Sequence, residues 1–307
     1  MALKTGVIGP AGFGGSYLTI ELLSRGHAVR GISRNPQKLG KHHDYSLYPI
    51  DIEGCSIEKL IEAFSGLDVL VNEYGPHSSG ETALQYQPFI ELTRKIIIAA
   101  KEAKVGYFIM VGGCGSLNLP GDRLKTCSES KEWWLSYRRG IADSEAHVTY
   151  MEERLGSLGS ALRNYRNARL QLRAGRQDGA TLQVIQDYEE AVLQSDKALT
   201  FVTACRTSYM FFNGNTSFLW TFVSPSALYR PGKRTGCYEV IFDELPVKPA
   251  QSPDSSQSFD GRLHGISVAD LAIAIADEAE RKEKVWTHWS AFADLSDDTP
   301  AVSYVTL

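Results

Sequence analysis

The stretch that most limits what this chain can fold into is Gly9-Pro10-Ala11-Gly12-Phe13-Gly14-Gly15. An apolar run, Leu3 to Ile8, leads into it. Ser16 to Arg25 leaves it with Tyr17, Ile20 and Leu23 at helical spacing. A strand that feeds a helix through glycines is a βα unit, and the free N–H groups at such a helix start attract anionic oxygens. In the spacing G-x-x-G-x-x-G, Gly9 permits the tight turn and Gly12 lets backbone approach a pyrophosphate. Gly15 lets the helix pack closely on the strand, and Ala11, Phe13 and Gly14 complete the loop. The motif therefore predicts a dinucleotide site.

The next hundred residues continue the alternation. Strands are predicted at Ala28 to Ile32, up to about Ile50, at Leu67 to Val71 and at Val105 to Val111. Helices are predicted near Lys38 and over Thr82 to Ala103. Strands separated by helices imply a parallel sheet with right-handed crossovers, with ligands outside the carboxyl ends of the strands. At the end of the second strand, Gly31-Ile32-Ser33-Arg34 holds no carboxylate for a ribose 2′-hydroxyl. Ser33, Arg34 and Lys38 suit a 2′-phosphate instead, so NADP(H) is expected over NAD(H).

Composition excludes several classes. The net charge of −4 spreads over 307 residues of both signs, so nucleic acid and anionic membranes are not expected partners. Cys55, Cys114, Cys127, Cys205 and Cys237 are scattered, which argues against a metal site or a disulfide framework and for a reducing, cytoplasmic setting. No apolar run reaches membrane-spanning length.

Beyond the loop, the sequence resembles the atypical short-chain dehydrogenase/reductases, in particular the NmrA-like and flavin-reductase-like NAD(P)H-binding proteins. The residues that carry the resemblance are Gly9 to Gly15, Ser33-Arg34-Asn35-Pro36, Asp51-Ile52, Tyr74-Gly75-Pro76, Val111 to Ser116, Trp220 to Pro225, Arg230 to Gly236 and Ile266 to Ala272. The resemblance implies that Asp51 and Ile52 border the adenine. It also implies that Tyr74, Gly75 and Pro76 pass near the nicotinamide ribose and that Ser116 sits beside the nicotinamide. The sequence departs from the wider superfamily in having no Tyr-x-x-x-Lys, whose lysine lowers the tyrosine pKa. Tyr150 and Arg154 keep the i, i+4 geometry with a cation that cannot trade protons. Tyr150 is a candidate proton donor with His77 and His147, against the plainer reading of a Tyr–Arg surface stack and structural histidines.

The expected fold is α/β, a Rossmann-type doubly wound parallel sheet with a mainly helical insertion forming a cap. Residues 1–121 form the nucleotide core, 122–219 the insertion and 220–307 the completion of the core. Two or three amphipathic helices are expected within Lys131 to Arg173 and Thr181 to Leu199, interrupted near Gly156. Arg163, Arg166, Arg169, Arg173 and Arg176 share one helix face, read as solvated rather than as a surface for an acidic ligand. The sixth core strand is either Thr200 to Ala204 or Leu219 to Val223, with the second favoured by the resemblance. The aromatic run from Tyr209 to Phe222 is read as core that also lines a substrate pocket. Ser267 and Asp270 resemble a capping box.

The function expected is an NADPH-dependent reductase of a small apolar carbonyl, enone or quinone-like compound, acting on a small-molecule substrate and compatible with a homodimer. A non-catalytic NADP-binding sensor and a non-redox cyclase or isomerase are the alternatives.

Overall fold

In the computed structural model, residues 1–75, 86–194, 196–250, 259–296 and 302–307 are described. The first half alternates as β1 (Lys4–Ile8), α1 (Phe13–Ser24), β2 (Ala28–Ser33), β3 (Tyr45–Pro49), α2 (Ile57–Phe64), β4 (Val69–Asn72), α3 (Tyr86–Glu102) and β5 (Phe108–Val111). A short hairpin, β6 (Asn118–Leu119) and β7 (Asp122–Thr126), leads to α4 (Lys131–Asp143), α5 (Glu145–Leu155), α6 (Ser157–Arg173), α7 (Gly179–Gln194) and α8 (Asp196–Tyr209). The chain closes with β8 (Trp220–Val223), β9 (Leu228–Arg230), β10 (Glu239–Phe242), β11 (Gly265–Ser267), α9 (Val268–Arg281) and β12 (His288–Phe292).

The main sheet runs β10-β12-β8-β5-β4-β1-β2-β3, parallel throughout except for β10 at the edge. Strand order reverses between β1 and β4, so a crevice opens at their carboxyl ends, as in doubly wound sheets that hold dinucleotides. One face is covered by α1 and α9, whose Leu18, Leu22, Leu271 and Ile275 pack on Val7, Val71 and Ile109. The other is covered by α2, α3 and α8, with Leu60, Phe64, Ile96 and Phe212 against Ile8, Leu70 and Phe108. The Rossmann-type fold expected from the sequence is the one observed.

Helix α2 is an addition to the sequence reading. Ser56 caps it by accepting from the Lys59 N–H, and Leu60, Ala63 and Phe64 form its buried stripe. Thr200 to Ala204 lies inside α8 rather than in a strand, and β8 is the sixth strand. Because α8 joins α3 in the layer beside the sheet, it is part of the core, and the segment outside that layer ends with α7.

That segment holds four helices rather than two or three. Gly156, in the left-handed region at φ 55°, separates α5 from α6. Ser144 makes the extra break by capping α5 through the His147 N–H. The arginine face of α6, expected to be solvated, is paired within the chain. Arg163 bonds Glu145 and Glu152, Arg166 bonds Glu145, and Arg169 and Arg173 share Asp143. These pairs tie α6 to the α4–α5 corner. In the aromatic run from Tyr209 to Phe222, Phe212, Trp220 and Phe222 are at most 1% exposed, and the Phe212 ring meets those of Phe108, Trp220 and Phe222. These three residues belong to the core. Only half of the capping box forms. Ser267 accepts the Asp270 N–H, while the Asp270 carboxylate turns away to Thr235 and Gly236 and fastens that loop.

Candidate functional site

One end of the crevice is built from the glycine loop and the carboxyl ends of β2 and β3. Gly9 takes φ 81°, donates to the Ile32 carbonyl at 3.0 Å and accepts from the Gly12 N–H at 3.0 Å. A Cβ at Gly15 would lie 2.0 Å from the Gly9 carbonyl oxygen, so only glycine lets α1 begin where it does. Helix α1 starts without a side-chain cap and without an acidic residue in its first turn, leaving its first N–H groups for an outside acceptor. The loop thus fits a pyrophosphate.

Beside it, Gly9, Ile32, Ser33, Arg34, Ile50, Asp51, Ile52, Glu53 and Tyr74 surround a pocket of about 100 Å³. Arg34 is exposed at its mouth, and Lys38 is exposed one turn further on, in the short 3₁₀ helix Pro36–Leu39. The two nearby carboxylates are engaged. Asp51 accepts the Glu53 N–H, and Glu53 takes the Tyr74 hydroxyl. Lys95 of α3, which sequence reasoning passed over, ties down the same turn through the carbonyls of Ile52, Glu53 and Cys55. Tyr74, which the resemblance set near the nicotinamide ribose, lines this same pocket with Arg34, Asp51 and Ile52. Gly75 follows it, exposed, and Pro76 and His77 lie outside the described residues.

The other end of the crevice lies between the glycine loop, the residues after β4 and β5, α5 and β9. Tyr150 is 3% exposed, stacks on Phe13 with ring centres 4.3 Å apart and accepts from Arg154 Nη1 at 2.7 Å. The i, i+4 pair read from the sequence is thus made. Burial nonetheless outweighs the Arg154 charge and raises the Tyr150 pKa, so a neutral-pH phenolate is not favoured. Ser116 is fully buried, its hydroxyl without a partner among the described residues, and its carbonyl accepts from Arg206 at 3.2 Å. It faces the interior rather than open space. His147 is 2% exposed, and burial pushes its pKa down to about 3, so it is a neutral structural residue.

Two residues that sequence reasoning missed complete this end. Tyr229 of β9 lies 5.1 Å from Phe13, ring to ring, and Glu73 follows β4 directly. Both press on Gly14: a Cβ there would sit 2.4 Å from Glu73 Oε2 and 3.0 Å from the Tyr229 hydroxyl. Both residues are half-buried. Burial pushes the Glu73 carboxyl up to about 7 and the Tyr229 phenol well above its usual range. One signal for Glu73 was available, since it is a carboxylate at the carboxyl end of the fully buried strand Val69–Asn72.

The profile of a family described as NAD(P)H-binding matches residues 9–153. The chain is 26% identical over 282 residues to the uncharacterized protein YwnB of Bacillus subtilis, covering 92% of this chain and 94% of that one. It is 24% identical to cinnamoyl-CoA reductase 2 of Medicago truncatula over 162 residues, 46% of this chain and 47% of the other. Among solved structures it is similar to a protein of Bacteroides thetaiotaomicron provisionally named an epimerase, at 23% identity and a TM-score of 0.64, covering 95% and 97% of the two chains. It is also similar to a wide-type short-chain dehydrogenase/reductase of Veillonella parvula in complex with NADP, at 12% identity and a TM-score of 0.51, with both chains covered in full. Among the described residues, no helix is long and apolar enough to cross a membrane.

Proposed function

We propose that the chain, whose residues 9–153 match the profile of an NAD(P)H-binding family, is an NADPH-dependent reductase of a small apolar carbonyl, enone or quinone-like compound. The observation that carries the cofactor choice is Arg34 at the mouth of the adenine pocket, with Asp51 and Glu53 already engaged. Arg34, with Ser33 and Lys38, would hold the 2′-phosphate, the Gly9–Gly15 loop the pyrophosphate, and Ile52 and Tyr74 the adenine side. The bound cofactor supplies hydride. The chain's own part is to orient it and exclude water, and Phe13, Tyr150 and Tyr229 supply apolar walls for a small planar substrate. A cytoplasmic location goes with this reading, because Cys55, Cys114, Cys127, Cys205 and Cys237 are all free thiols.

Calorimetric titration with NADPH, NADP⁺ and NADH, repeated on Arg34→Ala, tests the proposal. One charge-assisted contact to a phosphate is worth about 1.5–3 kcal/mol, so the variant should lose roughly 10- to 150-fold in NADPH affinity and almost none for NADH. Equal loss for both nucleotides would refute the 2′-phosphate role of Arg34. The buried Ser116 hydroxyl favours a second, non-catalytic sensor reading. That reading would stand if NADPH binds tightly and no apolar carbonyl compound oxidises it.

A further inference from the structure

Two segments distant in sequence meet the Glu73 carboxyl at the end of β4: Gly14 of α1, where a Cβ would fall 2.4 Å from Oε2 and 3.0 Å from the Tyr229 hydroxyl, and Tyr229 of β9. Phe13 of α1 lies against both Tyr229 and Tyr150 of α5. Among the described residues no cation contacts Glu73 and no hydrogen bond neutralises it, and burial alone accounts for its displaced titration. The titratable group beside it is the Tyr229 phenol, whose own pKa Glu73 helps to raise. The one nearby cation, Arg154, spends its hydrogen bond on Tyr150. The carboxyl also abuts the first turn of α1, where a pyrophosphate would add negative charge.

We propose that Glu73, rather than Tyr150, Ser116 or a histidine, carries the proton that this site gives to its substrate, and that it takes up that proton when NADP(H) binds. The inference rests on the reductase reading and assigns it the acid that the missing Tyr-x-x-x-Lys leaves open. As the substrate carbonyl carbon accepts hydride, its π pair moves to oxygen and the Glu73 O–H bond breaks. The proton forms the hydroxyl of the product, NADP⁺ remains, and water reprotonates the Glu73 carboxylate. The arrangement suits an acid, because a buried carboxyl held beside a phenol and against a phosphate site is stable when neutral and destabilised when ionised.

The linkage has a sign. Binding a polyanion beside Glu73 favours its protonated form, so NADPH affinity should fall as pH rises above about 7 and the complex should take up protons there. Calorimetry of the wild-type protein with NADPH at pH 8, in two buffers of different ionisation heat, reads that uptake directly. Between about half a proton and one proton per NADPH is expected. Glu73→Gln keeps the shape and removes the titration, so it should bind NADPH with no proton uptake and a flat pH dependence. Its turnover should be about 10²- to 10⁴-fold lower and lack the wild-type decline above about pH 7. Tight binding by wild type with no proton uptake, or a Glu73→Gln variant that keeps the wild-type pH profile, overturns the role of Glu73 and leaves the reductase reading intact. No NADPH binding by wild type removes both.

Discussion

Replacing Gly15 by alanine tests the central contact of the cofactor loop. The new Cβ would fall 2.0 Å from the Gly9 carbonyl oxygen and 2.9 Å from its carbon, both backbone atoms. An ordinary carbon–oxygen approach is about 3.3 Å or more, so the loop and helix must separate by roughly 1.3 Å. Nothing at that point is the loose end of a side chain that can swing aside. Overpacking of this kind costs about 1–3 kcal/mol, and a rigid backbone neighbour puts the cost toward the upper end. At about 2–4 °C per kcal/mol for a chain of this size class, melting should drop by roughly 4–12 °C. A second loss is sharper. NADPH at about 100 times its Kd adds about 2.7 kcal/mol to a folded protein that binds it, a further rise of roughly 5–10 °C, and Gly15→Ala should forfeit most of that rise. Thermal melting with and without NADPH reads both quantities. Gly179→Ala serves as the control, because its Cβ would meet open space and its φ lies outside the left-handed region. If Gly15→Ala melts within a degree of wild type and keeps the NADPH-dependent rise, the reasoning from loop geometry is refuted.

Other outcomes follow from the same structure. His147 and His288 are buried and neutral, each pushed down to about 3, whereas the unfolded chain protonates them near their usual range. The unfolded state then binds more protons below about pH 6.5. Stability should fall with acid by up to about 1.4 kcal/mol per pH unit for each histidine, and denaturant titrations at pH 4, 5 and 7 would expose a flat profile. Glu73 acts in the opposite sense, since its folded pKa is raised. Stability is lost as pH climbs from about 4.5 to about 7, so Glu73→Gln should gain about 1–3 kcal/mol at pH 8 relative to pH 4.5, and equal gains at both pH values would contradict the buried carboxyl. Ser224 bonds His288 Nε2 at 2.8 Å in the core, so Ser224→Ala should cost about 1–3 kcal/mol by leaving a buried ring nitrogen unpaired, a loss measurable in urea. Asp143→Asn releases both Arg169 and Arg173 at a partly exposed corner. Its effect should stay below about 1 kcal/mol and shrink in high salt, and a larger, salt-independent loss would mean the α6 arginines do more than solvated pairing.

The nucleotide half was legible because its cues are local. The glycine loop, the apolar strands and the missing carboxylate after Ile32 each announce their role within a few residues, and the structure puts Arg34 and the loop at one crevice. Helix α2 was equally local, with Ser56 as cap and Leu60, Ala63 and Phe64 as stripe, yet its eight residues were passed over between two stronger signals. What stayed hidden depends on distant partners. Residues 200–204 look like a strand by their composition, yet they lie within the longer helix Asp196–Tyr209, and local propensity is overridden by the wider context. The α6 arginines read as solvated until Asp143, Glu145 and Glu152 fold back on them. Glu73 reads as an ordinary loop acid because its surroundings, Gly14 and Tyr229, come from opposite ends of the chain. Tyr150 and Arg154 were paired correctly by spacing, but spacing carries no information on desolvation, which decides the direction of the tyrosine's titration.

The pairing of β5 with β8 has a bearing on how the protein is made. Strand β5 sits in the middle of the finished sheet, yet its second neighbour lies about a hundred residues further along the chain. At about 5–20 residues per second, a ribosome needs roughly 5–20 s to deliver β8 after β5 has emerged. Through that interval a nascent chain ending within the α4–α7 helices would present the apolar edge of Phe108 to Val111, an open template for another strand. Expression yield should therefore depend on chaperone supply during synthesis more than on the stability of the finished fold, and fragments truncated near residue 121 should be captured by holdases or aggregate rather than behave as free-standing nucleotide domains.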